Sequence, residues 1–303
     1  MKWNIYSKLW VIFFVLMGAA CTNQVEDAIP VSDQPIEFSV LSDWKEIPNT
    51  RLNEGRDHFE ENDSIQIFGF HKSSSGEVQK FMYRVDDWNR GQKVKLVGEN
   101  WNYSPKRFWP KEGTLDFYAG YPEYSVWYDN TNKRMNYKQD VNPLQLDLLW
   151  GESTGHDCTK ARSSNVVITM KHALAKVIIR FDKSLGEIKQ AKVSAYKAGY
   201  FEKNNTTDGI PHWNVDTDSI QEATLTPFQD QQTIGDATVF ILPDKITGLI
   251  LTKLDGEEID VSDKIQNLTF EAGKLYKLTI SDGAQKKNTN TRSIAMSVRC
   301  VSE

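Results

Sequence analysis

The stretch VVITMKHALAKVIIRF, residues 166–181, contains the pattern that decides the fold. Apolar residues occupy alternate positions in VVITM and again in AKVIIRF, which is the period of a β-strand with one buried face. Between these runs, KHALAK is the best short helical candidate of the chain, and it could equally be a kink between two strands. The stretch therefore predicts two consecutive β-strands, joined by a short helix or by a kink.

The same alternation recurs along the chain, while no segment keeps a helical period for more than two turns. Asp255-Gly256 lies between two alternating runs and predicts a hairpin with a type I′ turn, in which both central residues have positive φ. Many short strands separated by turn signals predict an all-β protein built from sandwiches. The further alternating segments are PIEFSV (35–40), SIQIFGF (64–70), TLDFYAGYP (114–122), AKVSAY (191–196), ATVFILP (237–243) and LYKLTI (275–280).

A small, polar stretch, GESTGHDCTKARSS at 151–164, predicts a linker that divides the chain into two halves. We expect an N-terminal domain over 36–150 and a C-terminal domain over 165–281. The final segment, 282–303, begins as a polar tether and ends in an alternating run that predicts one more strand. The apolar positions of that last strand are Ile294, Met296, Val298 and Cys300.

The first residues have the layout of a secretory signal. Lys2 and Lys8 precede an apolar run over 9–20, which is shorter than the roughly 20 residues of a membrane-spanning helix. Small residues followed by Cys21 resemble a bacterial lipobox, although Gly18 stands where leucine is usual. We therefore expect a signal peptide over 1–20, diacylglycerol on Cys21 and a tether over 21–35. An ordinary signal peptide with a chance cysteine is the alternative.

Charge and motif content argue against several classes of function. The formal net charge is −5, without a basic cluster, which disfavours nucleic acid as a partner. His156 and Cys158 lack a second ligand pair at zinc-like spacing, so we expect no metal site and no cofactor. Adjacent carboxylates such as Asp86 and Asp87 point to opposite faces of a strand. The sequence therefore favours a protein that is not an enzyme.

Tryptophan leaves one alternative function open. Exposed indoles on a β-sandwich can stack on sugar rings, whereas buried indoles simply fill a core. The tryptophans therefore leave open that the protein is a surface glycan-binding lipoprotein. The tryptophans that follow the signal segment are Trp44, Trp88, Trp101, Trp109, Trp127, Trp150 and Trp213.

Several stretches together resemble the fimbrillin family, the Mfa-like subunits of type V pili. The blocks RFWPKEGTLDFYAGYP (107–122) and VVITMKHALAKVIIRF (166–181) are the most specific. They occur in the family's order and, with the weaker blocks, cover most of residues 36–280. The weaker blocks are NTR (49–51), FEENDSIQIFGF (59–70), DLLWGES (147–153) and FEAGKLYKLTI (270–280).

The resemblance implies two transthyretin-like β-sandwich domains in series and export to the cell outer membrane as a lipoprotein. It also implies assembly of a surface-exposed fimbrium by strand donation between subunits. A protease would cut after Arg51, or alternatively Arg56, and release the first strand. A C-terminal strand of another subunit would then fill the groove. The displaced strand would carry Ile36, Phe38 and Val40, and the donor strand would carry the four apolar tail positions. The alternative is that the tail strand pairs in its own C-terminal sheet.

The sequence also predicts the chemical state of two serines and two cysteines. Asp63-Ser64-Ile65 and Asp218-Ser219-Ile220 resemble the O-glycosylation signal of bacteria that carry this family, which makes Ser64 and Ser219 candidate sites. Cys158 and Cys300 are expected to remain free thiols, because a bond between them would tie the tail to its own chain.

Overall fold

The structure of the protein is a computed structural model that describes residues 29, 31–42, 58–139, 147–160, 165–225 and 237–282. It also describes the backbone of residues 296–302. Across these residues the fold is all-β, as predicted, with one short helix, α1 (Ser262–Ile265), and one 3₁₀ turn, Lys183–Leu185. No helix in the described part is long and apolar enough to cross a membrane.

An eight-stranded sheet forms the N-terminal half and closes on itself; we call it the barrel sheet. The sheet closes because the strand over 64–72 pairs with the strand over 92–97 and also with the strand over 114–121. A closed sheet leaves fewer unpaired edges than an open one. The strands are β2 (Phe38–Ser42), β3 (Ser64–Lys72), β4 (Val78–Met82), β5 (Gln92–Val97), β6 (Asn100–Asn102), β8 (Thr114–Tyr121), β11 (Leu149–Asp157) and β12 (Val166–His172). Their order is β4-β3-β5-β6-β2-β12-β11-β8.

The inside of the barrel sheet is an apolar core to which almost every strand contributes alternate residues. Ile65 and Ile67 of β3, Phe117 of β8 and Ile168 of β12 are fully buried. This arrangement follows from the two-residue period of each strand, which directs every second side chain inward. The alternation predicted from the sequence thus builds the barrel core.

A second sheet, the middle sheet, joins the two halves of the chain. Two of its strands come from the N-terminal half and two from the C-terminal half, in the order β18-β15-β10-β9. Between it and the barrel sheet lies the middle core, which contains Tyr118, Trp150 and Phe201. The strands are β9 (Val126–Asp129), β10 (Arg134–Lys138), β15 (Ala198–Phe201) and β18 (Asn214–Val215).

Two four-stranded sheets of the C-terminal half share a third apolar core, which gives this half the form of a β-sandwich. One sheet has the order β20-β13-β23-β24 and the other has the order β19-β14-β21-β22. The strands of the first are β13 (Ala175–Phe181), β20 (Ala237–Ile241), β23 (Leu275–Asp282) and β24 (Met296–Ser302). Those of the second are β14 (Ile188–Tyr196), β19 (Ile220–Leu225), β21 (Ile246–Lys253) and β22 (Glu258–Asp260).

Two small pairings complete the described part of the chain. β1 (Val31–Pro35) runs antiparallel to β7 (Phe108–Pro110) on the outside of the barrel sheet. β16 (Thr206–Thr207) and β17 (Ile210–Pro211) form a short hairpin.

KHALAK is a kink between two strands and not a helix. The amide of Ala173 donates to the carbonyl of Leu148, 2.8 Å away, and the carbonyl of Leu174 accepts from the amide of Gly273 at 2.9 Å. Both corner side chains are buried in the middle core. Tertiary partners therefore satisfy the corner's backbone groups, which a helix would have paired locally.

The prediction of a linker over 151–164 is wrong for residues 151–157, which belong to β11. β11 pairs with β12 on one edge and β8 on the other. A Cβ on Gly151 would approach the Thr169 carbonyl oxygen to 2.7 Å, so glycine here permits close strand packing. Toward its end the strand is exposed, which explains its polar composition. β12, expected to open the C-terminal domain, belongs to the barrel sheet.

The hairpin predicted at Asp255-Gly256 is confirmed, but its turn type is not. β21 and β22 pair in register through Thr252 and Glu258. Among the described residues of the turn, only Gly256 has a positive φ, at 91°. The loop is longer than two residues, so a type I′ turn is not needed to reverse the chain.

Candidate strand-exchange site

β2 and the residue two positions before it supply three alternate side chains to the barrel core. Ile36, just before the strand, is fully buried, and Phe38 and Val40 are 4% and 8% exposed. The Phe38 ring packs edge-on against Phe117, with centroids 5.3 Å apart. Leu41, next to Val40 and on the opposite face of the strand, is 55% exposed. The strand predicted to be displaced is therefore a core strand of the barrel sheet in this structure.

Backbone polar groups hold the beginning of this segment in place. The Ile36 amide donates to the Arg107 carbonyl at 2.8 Å, and the Ile36 carbonyl accepts from the Tyr103 hydroxyl at 2.8 Å. Burial raises the pKa of Tyr103 to about 12, so its hydroxyl keeps the proton that it donates. These contacts anchor the entry of β2.

The two neighbours of β2 hold it unequally. It runs parallel to β12 over five register positions, from Phe38 opposite Val166 to Ser42 opposite Met170. On the other edge, the described residues pair β2 with β6 only through Phe38 and Trp101. A bond from the Val166 amide to the Glu37 carbonyl, at 2.8 Å, extends the β12 edge. Among the described residues, β2 is therefore paired along its length with β12 and at one position with β6.

The C-terminal tail strand, β24, lies at the edge of its own sheet. It pairs antiparallel with β23, with Val298 opposite Ile280 and Cys300 opposite Leu278. Both β23 residues are fully buried in the C-terminal core. Two of the apolar positions predicted in the tail, Val298 and Cys300, are thus in register with core positions of β23. Met296 stands opposite Asp282.

Several predicted site residues lie outside the described part of the chain. They are Cys21, Arg51, Arg56 and Ile294. The predicted segment 1–20, and residues 21–28 and 30 of the predicted segment 21–35, also lie outside it.

The candidate glycosylation sites lie at strand beginnings and are half-buried. The Ser64 hydroxyl donates to the Asn62 carbonyl at 3.4 Å. The carbonyl of Ser219 accepts from the Lys197 amide at 2.9 Å, in the turn that leads into β19. The structure places the two serines in different halves of the molecule.

Cys158, predicted in a linker, is fully buried in the barrel core and is not in a disulfide. Its amide donates to the Gly113 carbonyl at 3.0 Å. His156 packs against Trp109 and Phe117, and burial lowers its pKa. Within the described ranges, no three His, Cys, Asp or Glu side chains form a group that could hold a metal ion.

Most described tryptophans fill cores. Trp101, Trp109 and Trp150 are buried, while Trp127 and Trp213 are half-buried. Among the described tryptophans, only Trp88 is more exposed, at 42%. Sequence alone did not single it out, because nothing in the local pattern separates it from the others.

The architecture is an all-β fold with a closed sheet and a β-sandwich. The fimbrillin-like family model matches residues 50–296, more than half of the chain. The chain belongs to the fimbrillin-like family. No curated protein matches it.

Solved structures share the fold at low sequence identity. A candidate cell adhesion protein from Bacteroides uniformis has a TM-score of 0.54 and 19% identity, covering 90% of this chain and 98% of that chain. One from Bacteroides ovatus has a TM-score of 0.53 and 14% identity, covering 88% and 96%. The tip fimbrial protein Mfa3 from Porphyromonas gingivalis, truncated at its C-terminus, is more distant: its TM-score is 0.40 at 9% identity, covering 80% and 94%.

Proposed function

We propose that this chain is a structural subunit or adhesin of a type V fimbrium that assembles by strand exchange. The observation that carries the proposal is β2, a short core strand that precedes the segment containing Arg51 and Arg56. Cleavage after Arg51, or alternatively Arg56, would free β2 from the rest of the chain. The role is structural and involves no enzymatic step.

Energetics make cleavage the natural trigger. Burial of each apolar side chain of this kind is worth about 1.5–3 kcal/mol, so Ile36, Phe38 and Val40 would hold β2 in an uncut chain. Once cut, β2 would no longer be covalently linked to the barrel and could diffuse away. The weak pairing with β6 supports departure on that side.

A vacated groove would need another strand. The amides and carbonyls of β12 that face β2 would lose their partners, at about 1–3 kcal/mol for each group that stays buried. An incoming strand with alternating apolar residues would pair with them and refill the core, as in β-augmentation. The groove would therefore select extended, alternating segments.

β24 is the proposed donor. As an edge strand it pairs with β23 alone in the described part of the sheet, so only that one ladder would have to open. Ile294, Met296, Val298 and Cys300 have the required alternation. Donation would replace the hydrogen-bond ladder between β23 and β24 of one subunit by a ladder between two subunits.

We propose the following cellular setting. Residues 1–20 are a signal peptide, and Cys21 carries lipid. Of the expected tether over 21–35, residues 31–35 form β1 against β7, so the part before β1 links the lipid to the folded protein. Two transthyretin-like domains, with the O-glycosylation candidates Ser64 and Ser219, then form the surface-exposed fimbrium. The surface glycan-binding lipoprotein is the second candidate, and exposed Trp88 supports it.

The assembly test is limited trypsin digestion of the purified chain, followed by size-exclusion chromatography and mass spectrometry. Fragments beginning at Leu52 or Asp57 should multimerise, whereas a variant with Lys45→Ala, Arg51→Ala and Arg56→Ala, which removes every trypsin site between β2 and β3, should stay monomeric. Met296→Asp with Val298→Asp should also block multimers, because a buried unpaired charge is costly. Ser297→Asp with Arg299→Asp, at the intervening positions, is the matched control and should still assemble.

Two results would contradict strand exchange. One is wild-type protein that is cut at these arginines and remains monomeric at high concentration. The other is loss of the monomer fold, measured by circular dichroism, in the Met296→Asp and Val298→Asp variant. That loss would show that β24 is required by its own sheet.

The lipid anchor has a separate test. Cys21→Ala should abolish incorporation of a fatty-acid analogue and release the protein from the membrane fraction. A variant that still labels and still sediments with membrane would disprove lipidation at this cysteine.

A further inference from the structure

A cleft of about 1140 Å³ opens on the outer surface where the barrel sheet meets the middle sheet. Its walls come from β4, the turn between β9 and β10, the turn after β15, and the segment next to β7. Small-molecule sites usually measure roughly 300–1,000 Å³, so this cleft can accept a ligand larger than one sugar ring. Ile29 and Val31, which precede β2, and Arg107, whose carbonyl accepts from the Ile36 amide, also line the cleft, so the uncleaved chain contains it whole.

Aromatic faces line the cleft. Trp88 is 42% exposed, and its ring centroid lies 4.1 Å from that of Tyr83. Further in, Phe70 and Tyr128 pack with centroids 5.0 Å apart. An exposed indole that is held by another aromatic ring provides a rigid flat surface with little conformational entropy to lose on binding.

Two lysines sit over these rings. Lys80 Nζ lies 5.2 Å from the Trp88 centroid and 4.9 Å from that of Tyr128. Lys203 Nζ lies 4.8 Å from the Phe70 centroid and 5.0 Å from that of Tyr118. Because Phe70 and Tyr128 are in contact, both ammonium groups lie over one continuous group of aromatic rings.

The charges of the cleft are unbalanced. Within the described ranges, neither Lys80 nor Lys203 has a carboxylate oxygen within 4.0 Å, although the Lys80 ammonium donates to the Trp88 carbonyl. Burial lowers the pKa of Lys80 to about 8, against the opposing effect of Asp87 and together with Lys133. Burial also lowers the pKa of Lys203, opposed by Asp116. An anion would supply the missing countercharge and favour the ammonium form.

We propose that this cleft binds an anionic saccharide, with one sugar ring stacked on Trp88 and the acidic group held by Lys80 and Lys203. The flat indole fits the C–H face of a pyranose, and the lysines fit a carboxylate or sulfate on it. This ligand adds an adhesive contact to the fimbrial role, and it stands independently of strand exchange, because uncleaved monomer contains the whole cleft.

The test is isothermal titration of the purified, uncleaved chain with trigalacturonate and with the neutral galactose trisaccharide. The acidic sugar should bind at least about tenfold more tightly, which is about 1.4 kcal/mol. Its affinity should fall as the salt concentration rises, because screening weakens the ammonium contacts. It should also fall between pH 7 and 9, as Lys80 loses its proton.

Matched variants locate the site. Trp88→Ala and Lys80→Met should each weaken binding by about tenfold or more. Trp127→Ala and Lys192→Met, outside the cleft, should bind like the wild type. Circular dichroism melts should confirm that all four variants fold.

Three results would overturn the proposal: no binding of trigalacturonate, equal binding of the neutral sugar, or wild-type affinity in both cleft variants. Tight binding of an Asp-Glu peptide in place of the sugar would also overturn it and identify an acidic protein partner. Monomeric trypsin-cut protein that still binds trigalacturonate would contradict strand exchange while supporting the cleft.

Discussion

At the scale of single residues, the corner motif KHALAK contains a lysine in an unusual place. Lys176 is 1% exposed, and its amide donates to the Lys274 carbonyl at 3.0 Å. Its Nζ has no hydrogen-bond partner among the described residues. Burial lowers its pKa to about 8, and the charge of Asp147 only partly opposes this. The folded protein therefore holds this proton less tightly than the unfolded chain does.

Lys176→Met should stabilise the protein near neutral pH by about 1 kcal/mol or more, because no ammonium then has to be buried. The folded-state pKa lies below the unfolded value of 10.5, so wild-type stability should rise as the pH increases from 8 to 10.5. Urea denaturation at pH 7.5 and pH 10 measures both. A variant that shows the same pH dependence as the wild type would contradict the assignment.

Phe38 and Leu41 provide a matched pair in β2. Phe38→Ala should reduce the free energy of unfolding by about 3–5 kcal/mol, because it removes a ring packed between Tyr103 and Phe117. Leu41→Ala, at an exposed position, should change it by less than about 0.5 kcal/mol. Denaturant titration compares them. Equal, small effects would mean that β2 contributes little to the barrel core.

At the scale of elements, β11 illustrates how composition can mislead. Gly151→Ala would bring a Cβ within 2.7 Å of the Thr169 carbonyl oxygen and 2.8 Å of Ile168 Cγ2. We expect a loss of about 1–3 kcal/mol in stability, because strands on both edges prevent relaxation. Ser153→Ala in the same strand is the control and should have a smaller effect. A neutral Gly151→Ala in thermal denaturation would favour the linker interpretation.

The sequence predicted individual strands well, because a half-buried strand leaves a period of two in its own residues. Ile36, Phe38 and Val40 were placed correctly in the core for this reason. The partners of strands could not be predicted in the same way. The parallel pairing of Phe38 with Val166 depends on residues far apart in the chain, and no local pattern records it.

Surfaces that several distant segments build together could not be predicted from local sequence patterns either. The middle sheet joins Met135 to Phe201, so a division at 151–164 could not anticipate a sheet shared by both halves. The cleft with Trp88 and Lys203 also comes from distant segments. Residue types suggested a tryptophan platform, but only the fold distinguishes one exposed indole from several buried ones.

At the scale of the whole molecule, the described residues form three apolar cores, and the middle core connects the barrel core to the C-terminal core. Trp150 of β11 packs edge-on against Phe201 of β15 with centroids 4.9 Å apart. Trp213 donates from Nε1 to the Ala173 carbonyl at 2.7 Å. The two halves are therefore joined by packed aromatic side chains and by the strand corner.

Unfolding of the two halves should be coupled. Phe201→Ala should cost about 3–5 kcal/mol and lower the thermal midpoint of amide-exchange probes in β3 and β13 alike. Leu254→Ala, at a 64% exposed position, is the control. Independent transitions for the two strands, with only β13 affected by Phe201→Ala, would contradict the coupling.

The parallel ladder between β2 and β12 sets the order in which the chain can be completed. Phe38 cannot pair until Val166, which is synthesised much later, is available. Pairings so distant in sequence form slowly, because their loop-closure entropy must be overcome first. The barrel therefore closes late, and β2 stays unpaired with β12 during the early stages of folding. A chaperone that binds extended apolar segments would meet it in that interval.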